Sequence, residues 1–235
     1  MNNKPDFTNT IEEWSNFFIP LSDGVQLAAR AWLPTNAIEQ PVPAILEYIP
    51  YRKRDGTAIR DEQMHPYWAA FGYACVRVDI RGSGESDGLL HDEYLQQELD
   101  DAVEVINWLE HQDWCSGKVG MMGKSWGGFN CLQVAALRPS ALKAIITVCS
   151  TDDRYADDCH YRGGAVLIEN FSWASTISGF MAKPPDPLLL PETWRENWLE
   201  RLQNMPFFAK NWLEHTYKDA YWKHGSINED YSAIE

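Results

Sequence analysis

Apolar and polar residues run in short blocks over the first half of the chain and shift to helical stripes toward its end. Asn16-Phe17-Phe18-Ile19-Pro20 and the stretch 25–32 predict two short strands. They are reversed at Ser22-Asp23-Gly24, because Asp-Gly readily supplies the geometry of a tight turn. After a polar, proline-bearing loop, the mostly apolar run 43–49 predicts a buried strand, followed by others at 73–80, 118–123 and 144–148. A short helix is expected over 66–71. The clearest helix covers 94–112, where Leu95, Leu99, Ala102, Val103, Ile106 and Leu109 form one apolar stripe. Another is expected over 126–137. Strands alternating with helices imply an α/β fold with a largely parallel sheet.

The pattern changes near residue 150. Beyond it the β signal fades and helical patches appear at 192–202 and 207–215, separated by Pro206. The expected organisation is therefore residues 1–150 as the N-terminal part of a sheet-based core and 151–235 as a helical cap region. An open parallel sheet binds ligands at the carboxyl ends of its strands, where such a cap would lie.

Composition narrows the function classes. The chain has 235 residues, 45% of them hydrophobic, and a formal net charge of −14. That charge disfavours nucleic acid and anionic membranes as partners, and no apolar stretch is long enough to span a bilayer. The first twenty residues carry Asp6, Glu12 and Glu13 and lack the basic-then-apolar run of a secretory leader. Cys75, Cys115, Cys131, Cys149 and Cys159 are scattered without a CxxC pair, which argues against a disulfide framework and a zinc site. No metal or cofactor is expected, and a cytoplasmic location is the default. Among the tryptophans, Trp173, Trp194, Trp198, Trp212 and Trp222 fall in the last third, where they either pack helices or line an apolar pocket.

Candidate chemistry centres on Gly123-Lys124-Ser125-Trp126-Gly127, a G-x-S-x-G pattern with a predicted strand before it and a predicted helix after it. That context is what a nucleophile elbow requires. The glycines clear space where strand and helix approach, the serine hydroxyl projects above the sheet, and the Trp126 backbone N–H can donate to an oxyanion. A P-loop reading of Gly123-Lys124-Ser125 fails because Lys118 stands where the first glycine belongs. The run Gly82-Ser83-Gly84-Glu85-Ser86-Asp87-Gly88 has the wrong spacing for a dinucleotide site and reads as a structural turn.

With these residues assembled, the chain resembles the cocaine-esterase and X-prolyl dipeptidyl peptidase family of α/β hydrolases. The resemblance is carried by Ile49-Pro50-Tyr51-Arg52-Lys53, by Asp79-Ile80-Arg81 with the glycine-rich run after it, by residues 108–128, and by Leu142-Lys143-Ala144-Ile145. Tyr155-Ala156-Asp157-Asp158, then Gly163-Gly164, resembles the family's entry into its helical cap. The resemblance implies hydrolysis of a small ester or amide through an acyl-serine, with Ser125 as nucleophile and Trp126 and Tyr51 as oxyanion donors. It also implies that an acidic residue at the cap entrance, Asp157 or Asp158, holds a substrate ammonium.

The departure lies in the rest of the triad. In this fold Asp or Glu and then His follow on loops after later strands. No strand is predicted after Val148, so the α/β-hydrolase core is expected to be incomplete at its C-terminal strands, with the catalytic Asp and His beyond Glu235. His160, His215 and His224 fall in the cap-like region, and none is nominated as base. The readings left open are an N-terminal piece of a serine hydrolase, a hydrolase completed by another chain, and a non-catalytic module that binds a partner chain or small acyl compounds. A half-built sheet, with its unpaired edge, would also favour a homo-oligomer.

Overall fold

The computed structural model describes residues 9–234; the first eight positions, where the sequence predicts no secretory leader, and Glu235 lie outside them. Strands β1 (Ile11–Pro20) and β2 (Gln26–Pro34) pair antiparallel around the predicted Asp23-Gly24 reversal. Strand β3 (Val42–Ile49) leads to helix α1 (Ala58–Ala70), and β4 (Ala74–Asp79) to α2 (Gln96–Glu110). Strand β5 (Cys115–Lys124), α3 (Trp126–Ala136) and β6 (Leu142–Val148) complete the sheet, whose order is β1-β2-β4-β3-β5-β6. The pairs β3–β4, β3–β5 and β5–β6 are parallel, and β2–β4 is antiparallel.

Two faces follow from the strand period. Along β4, Ala74 and Val76 point into the large core with Leu99, Val105 and Ile106 of α2, while Cys75 points to the other face with Trp32 and Ala69. Thus α1 covers one face, and α2 and α3 cover the other. Helix α1 begins well before the expected 66–71, and Pro66 lies inside it. Side-chain anchoring outweighs the proline: the buried Asp61 and His65 of α1 meet Arg77 and Glu47 from β4 and β3, and Arg60 bridges Glu47 and Asp61.

The region after β6 is mainly helical: α4 (Glu169–Met181), α5 (Trp194–Asn204) and α6 (Phe208–Glu214), with 3-10 turns at Ala220–Lys223 and Tyr231–Ala233. It also carries a small hairpin, β7 (Tyr161–Arg162) with β8 (Ala165–Val166), that the residue pattern did not announce. The main core cluster runs without a break from Ile19 to Trp222, so this region shares its core with the sheet. No described helix is long and apolar enough to cross a membrane.

Chain order makes β3 the switch point. From β3 the chain steps to β4 on one side, and later to β5 on the other, and the carboxyl ends of strands at such a point are where open α/β sheets bind ligands. Tyr51 follows β3 and Ser125 follows β5.

Strand β6 is the edge beside β5, and its side chains are largely exposed, Ile146 by 56% and Val148 by 47%. A groove of 330 Å³ runs beside it, lined by Pro43, Ile45, Trp68, Tyr73, Met122 and Ile146. An apolar edge invites pairing with another chain. Ile146→Lys is expected to leave the unfolding free energy from urea titration unchanged within about 0.5 kcal/mol, as for an exposed position, and to reduce self-association seen by sedimentation velocity.

Candidate active site

Ser125 connects the end of β5 to the start of α3 and holds φ 56°, ψ −119°, a strained backbone for a residue with a Cβ. Its N–H donates to the Val148 carbonyl of β6 at 2.8 Å, and its own carbonyl accepts from Gly128 and Phe129. The turn is possible because of Gly123. A Cβ there would sit 2.3 Å from the carbonyl carbon of Gly127, so strand and helix could not approach. The geometry is that of the strand–turn–helix elbow the sequence predicts.

Tyr51 meets Ser125 from β3. Its phenol is pushed up from its ordinary value by burial, while hydrogen-bonding contributions from the Ser125 side chain and the Trp126 backbone act against that rise. The three residues singled out as nucleophile and oxyanion donors therefore converge. The Tyr51 loop is pinned from several directions. Lys53 N–H donates to the Asp79 carboxylate at 3.0 Å, and the Lys53 ammonium pairs with Glu85 at 2.6 Å, both side chains fully buried. Arg52, at φ 59°, donates to the carbonyls of Lys183 and Pro184 just past α4. Gly56 makes the loop possible, since a Cβ there would lie 2.0 Å from the Tyr51 carbonyl oxygen.

Behind the phenol stands Trp173 of α4, edge-on to Tyr51 with ring centres 6.2 Å apart and 6.3 Å from Trp126. Its indole N–H donates to Glu93, which also accepts from Arg154 at 2.6 Å and from His160 at 2.8 Å. Burial alone would raise the Glu93 carboxyl; the neighbouring His160 and Arg154 outweigh it and hold it at about 2. Burial likewise works to lower His160, but Glu93 wins and raises it. The sequence reading named neither Glu93, Arg154 nor the polar role of Trp173. Among the other late tryptophans, Trp212 and Trp222 are buried packing residues, and Trp194 stacks on Trp198.

The two acidic candidates separate. Asp157 is exposed and pairs with the equally exposed Arg162 at 2.9 Å. Asp158 is mostly buried, 3.9 Å from His160, and burial together with Glu93 raises its carboxyl despite His160. Asp158, Cys159 and His160 bring potential metal-ligand atoms within 4.8 Å of one another, as do Glu47, Asp61 and His65. Neither group favours a cation. Both His160 nitrogens are engaged, by Asn170 and Glu93, and burial with Asp158 raises the Cys159 thiol. The second group already faces Arg60 and Arg77.

No described histidine after Ser125 is placed as its base. His160 is committed as above, His224 lies against Arg154 and the Glu93 carbonyl, and His215 pairs with Asp219 at 2.7 Å.

The sequence model of the X-Pro dipeptidyl-peptidase (S15) family matches residues 23–235. The chain belongs to this family. Within reach of this S15 chain, cocaine esterase of Rhodococcus sp. (strain MB1 Bresler) is 34% identical over 169 residues, 69% of this chain and 28% of the esterase. A putative Xaa-Pro dipeptidyl-peptidase of Streptomyces avermitilis is 31% identical over 119 residues, 44% of this chain and 17% of that protein. The solved CocE/NonD family hydrolase of Staphylococcus aureus superposes with a TM-score of 0.72 at 22% identity, over 96% of this chain and 40% of that one. An α-amino acid ester hydrolase gives a TM-score of 0.69 at 21% identity, over 97% of this chain and 43% of its own. This S15 chain thus spans well under half the length of the relatives it resembles, and its fold is that of an α/β-hydrolase core whose sheet is not closed.

Glu93→Gln leaves Arg154 buried without its partner and is expected to cost about 3–5 kcal/mol in urea unfolding at neutral pH. The carboxyl is held below its ordinary value of 4.5, so its stabilisation is full above that value and lost as pH falls toward about 2. The stability difference between wild type and Glu93→Gln should therefore narrow on acidification over that window, as read by circular dichroism.

Proposed function

We propose that this chain carries the nucleophile and oxyanion half of a serine hydrolase acting on a small ester or amide. The observation that carries the reading is the convergence at the β3–β5 switch point of a strained Ser125, the Trp126 backbone and the Tyr51 phenol. The Ser125 oxygen adds to the acyl carbon while a general base takes its proton. The developing oxyanion accepts from the Trp126 N–H and the Tyr51 O–H, donors that act on charge formed only in the transition state. The bond to the leaving oxygen or nitrogen then breaks, the base returns the proton to it, and water releases the acyl group from serine.

The base and its carboxylate partner come from polypeptide other than residues 9–234, because the described histidines after Ser125 are held by other partners. Asp158, rather than Asp157, is the acid suited to a substrate ammonium, because it is sheltered beside the Glu93 cluster and is not held in a close pair like that of Asp157 with Arg162. A second reading, an assembly module that binds a partner chain, is favoured by one observation, the exposed apolar edge of β6.

A fluorophosphonate probe tests the hydrolase reading on the chain itself. Labelling is expected at Ser125, absent in Ser125→Ala, and slowed roughly 100-fold in Tyr51→Phe, the scale of losing one oxyanion donor. It is expected to be slow, since a serine without its histidine is weakly activated. Labelling spread over other serines, or unchanged in Tyr51→Phe, would sink the assignment.

A further inference from the structure

A second buried carboxylate grips α3, the helix that follows Ser125. Glu98 of α2 is buried, and its Oε1 accepts from the Trp126 indole N–H at 2.5 Å and from the Asn130 side-chain amide at 2.8 Å. Its Oε2 accepts from the Tyr94 backbone N–H at 3.0 Å. Trp126 and Asn130 lie one turn apart on α3 and so present both donors on one face. The Asn130 amide also donates to the Tyr48 carbonyl of β3, which ties that helix face to the strand that leads to Tyr51.

We propose that Glu98 is a positioning residue of the oxyanion site: by holding the Trp126 indole and the Asn130 amide together, it fixes the first turn of α3 and thereby aims the Trp126 backbone N–H toward the Tyr51 phenol. The inference rests on the reading of Ser125 as nucleophile for its catalytic meaning, but the clamp itself is testable without turnover.

The surroundings give the clamp a pH signature. Glu98 meets neutral donors rather than a cation. Burial pushes its carboxyl up to about 7, against the contributions of Trp126, Asn130 and Tyr94, and Glu93 adds to the rise. The other charged groups near it are accounted for. Asp101, one turn along α2, is paired with Arg81 at 2.7 Å. Tyr48 of β3 feels both Glu98 and Asp101. Glu98 also borders a 360 Å³ cavity shared with Arg81, His91, Asp92, Asp101 and Glu200. That cavity gives protons a route to a group that is otherwise enclosed. An ionised carboxylate accepts the indole N–H more strongly than a protonated one, so the clamp tightens as pH rises through the Glu98 transition.

The test uses the whole chain labelled with 15N-tryptophan, the Trp126 signals being assigned by their disappearance in Trp126→Phe. Between about pH 5.5 and about 8.5, the Trp126 indole and backbone N–H resonances should both move, with a common midpoint at about 7, where burial places the Glu98 carboxyl. Both movements should vanish in Glu98→Gln. A flat indole resonance in wild type would overturn the clamp, and so would a transition that persists in Glu98→Gln. An indole that titrates while the backbone amide stays fixed would overturn the positioning role. Wild-type titration stands as a readout even where Glu98→Gln fails to fold. Absence of fluorophosphonate labelling at Ser125 would instead count against the hydrolase reading and leave the resonance result intact.

Discussion

The buried carboxylate of Glu93 is the point on which the rest of the site depends. It sits in the loop between β4 and α2, part of the core, yet its partners Arg154, His160 and Trp173 all belong to the region after the sheet. Its neighbour Asp92 does the same work alongside, accepting from the Trp212 indole at 3.1 Å, the Asn211 amide at 3.3 Å and the Tyr221 hydroxyl at 2.7 Å. Two consecutive acids thereby draw α4, α6 and the 220–223 turn onto one spot. Burying such charges is costly, and a hydrophobic contact of the same size would serve stability as well. What the charged version supplies is register. Trp173 can back Tyr51 only if α4 is held at one height over the sheet, and a directional bond to Glu93 sets that height where apolar packing would allow sliding.

The glycine-rich loop after β4 supplies the second set of ties. It accepts Arg201 of α5 at the carbonyls of Gly84 (2.8 Å) and Ser86, and burial lowers that guanidinium to about 10. From the same loop Glu85 holds Lys53, and Ser86 accepts the Ala28 N–H and donates to the Asp79 carbonyl. Gly84 packs so close to Asp79 that a Cβ would lie 2.0 Å from its Oδ2. A run that resembles a nucleotide-binding motif is thus a platform. One side steadies the loop carrying Tyr51 and the other docks a late helix, so no phosphate is needed to explain its glycines.

Most of the sheet was legible in the sequence because buried parallel strands are written as continuous apolar runs, as at 43–49 and 73–80. The elbow was legible because its glycines and serine must be contiguous. Helix α1 was truncated in the reading since Pro66 is a local signal, and the anchoring of Asp61 to Arg77 and of His65 to Glu47 is not. Helix α4, with Gly179 and scattered serines and threonines, shows no clean stripe; its position comes from Trp173 finding Glu93. Glu93 left no mark because its partners lie far along the chain. Glu98 did leave one: an acid three residues after Leu95, on the apolar side of an otherwise clean stripe, where a charge belongs only if something receives it.

Glu93 and Glu98 are separated by a single short stretch of chain, both are buried, and the structure drives them in opposite directions, one to about 2 and the other to about 7. The difference is in who faces them. Two cationic side chains meet Glu93, so ionisation relieves their charge as well as its own. Only an indole, an amide and a backbone N–H meet Glu98, and neutral donors recover part of the burial cost without cancelling it. The consequence is a division of labour around one elbow. The acid held well below its ordinary value fixes α4, whose Trp173 backs Tyr51. The acid near neutrality holds the rear of α3 through the very residue whose backbone faces the phenol. Here neither acid touches the Ser125 hydroxyl; each acts on a tryptophan, Glu93 on Trp173 and Glu98 on Trp126.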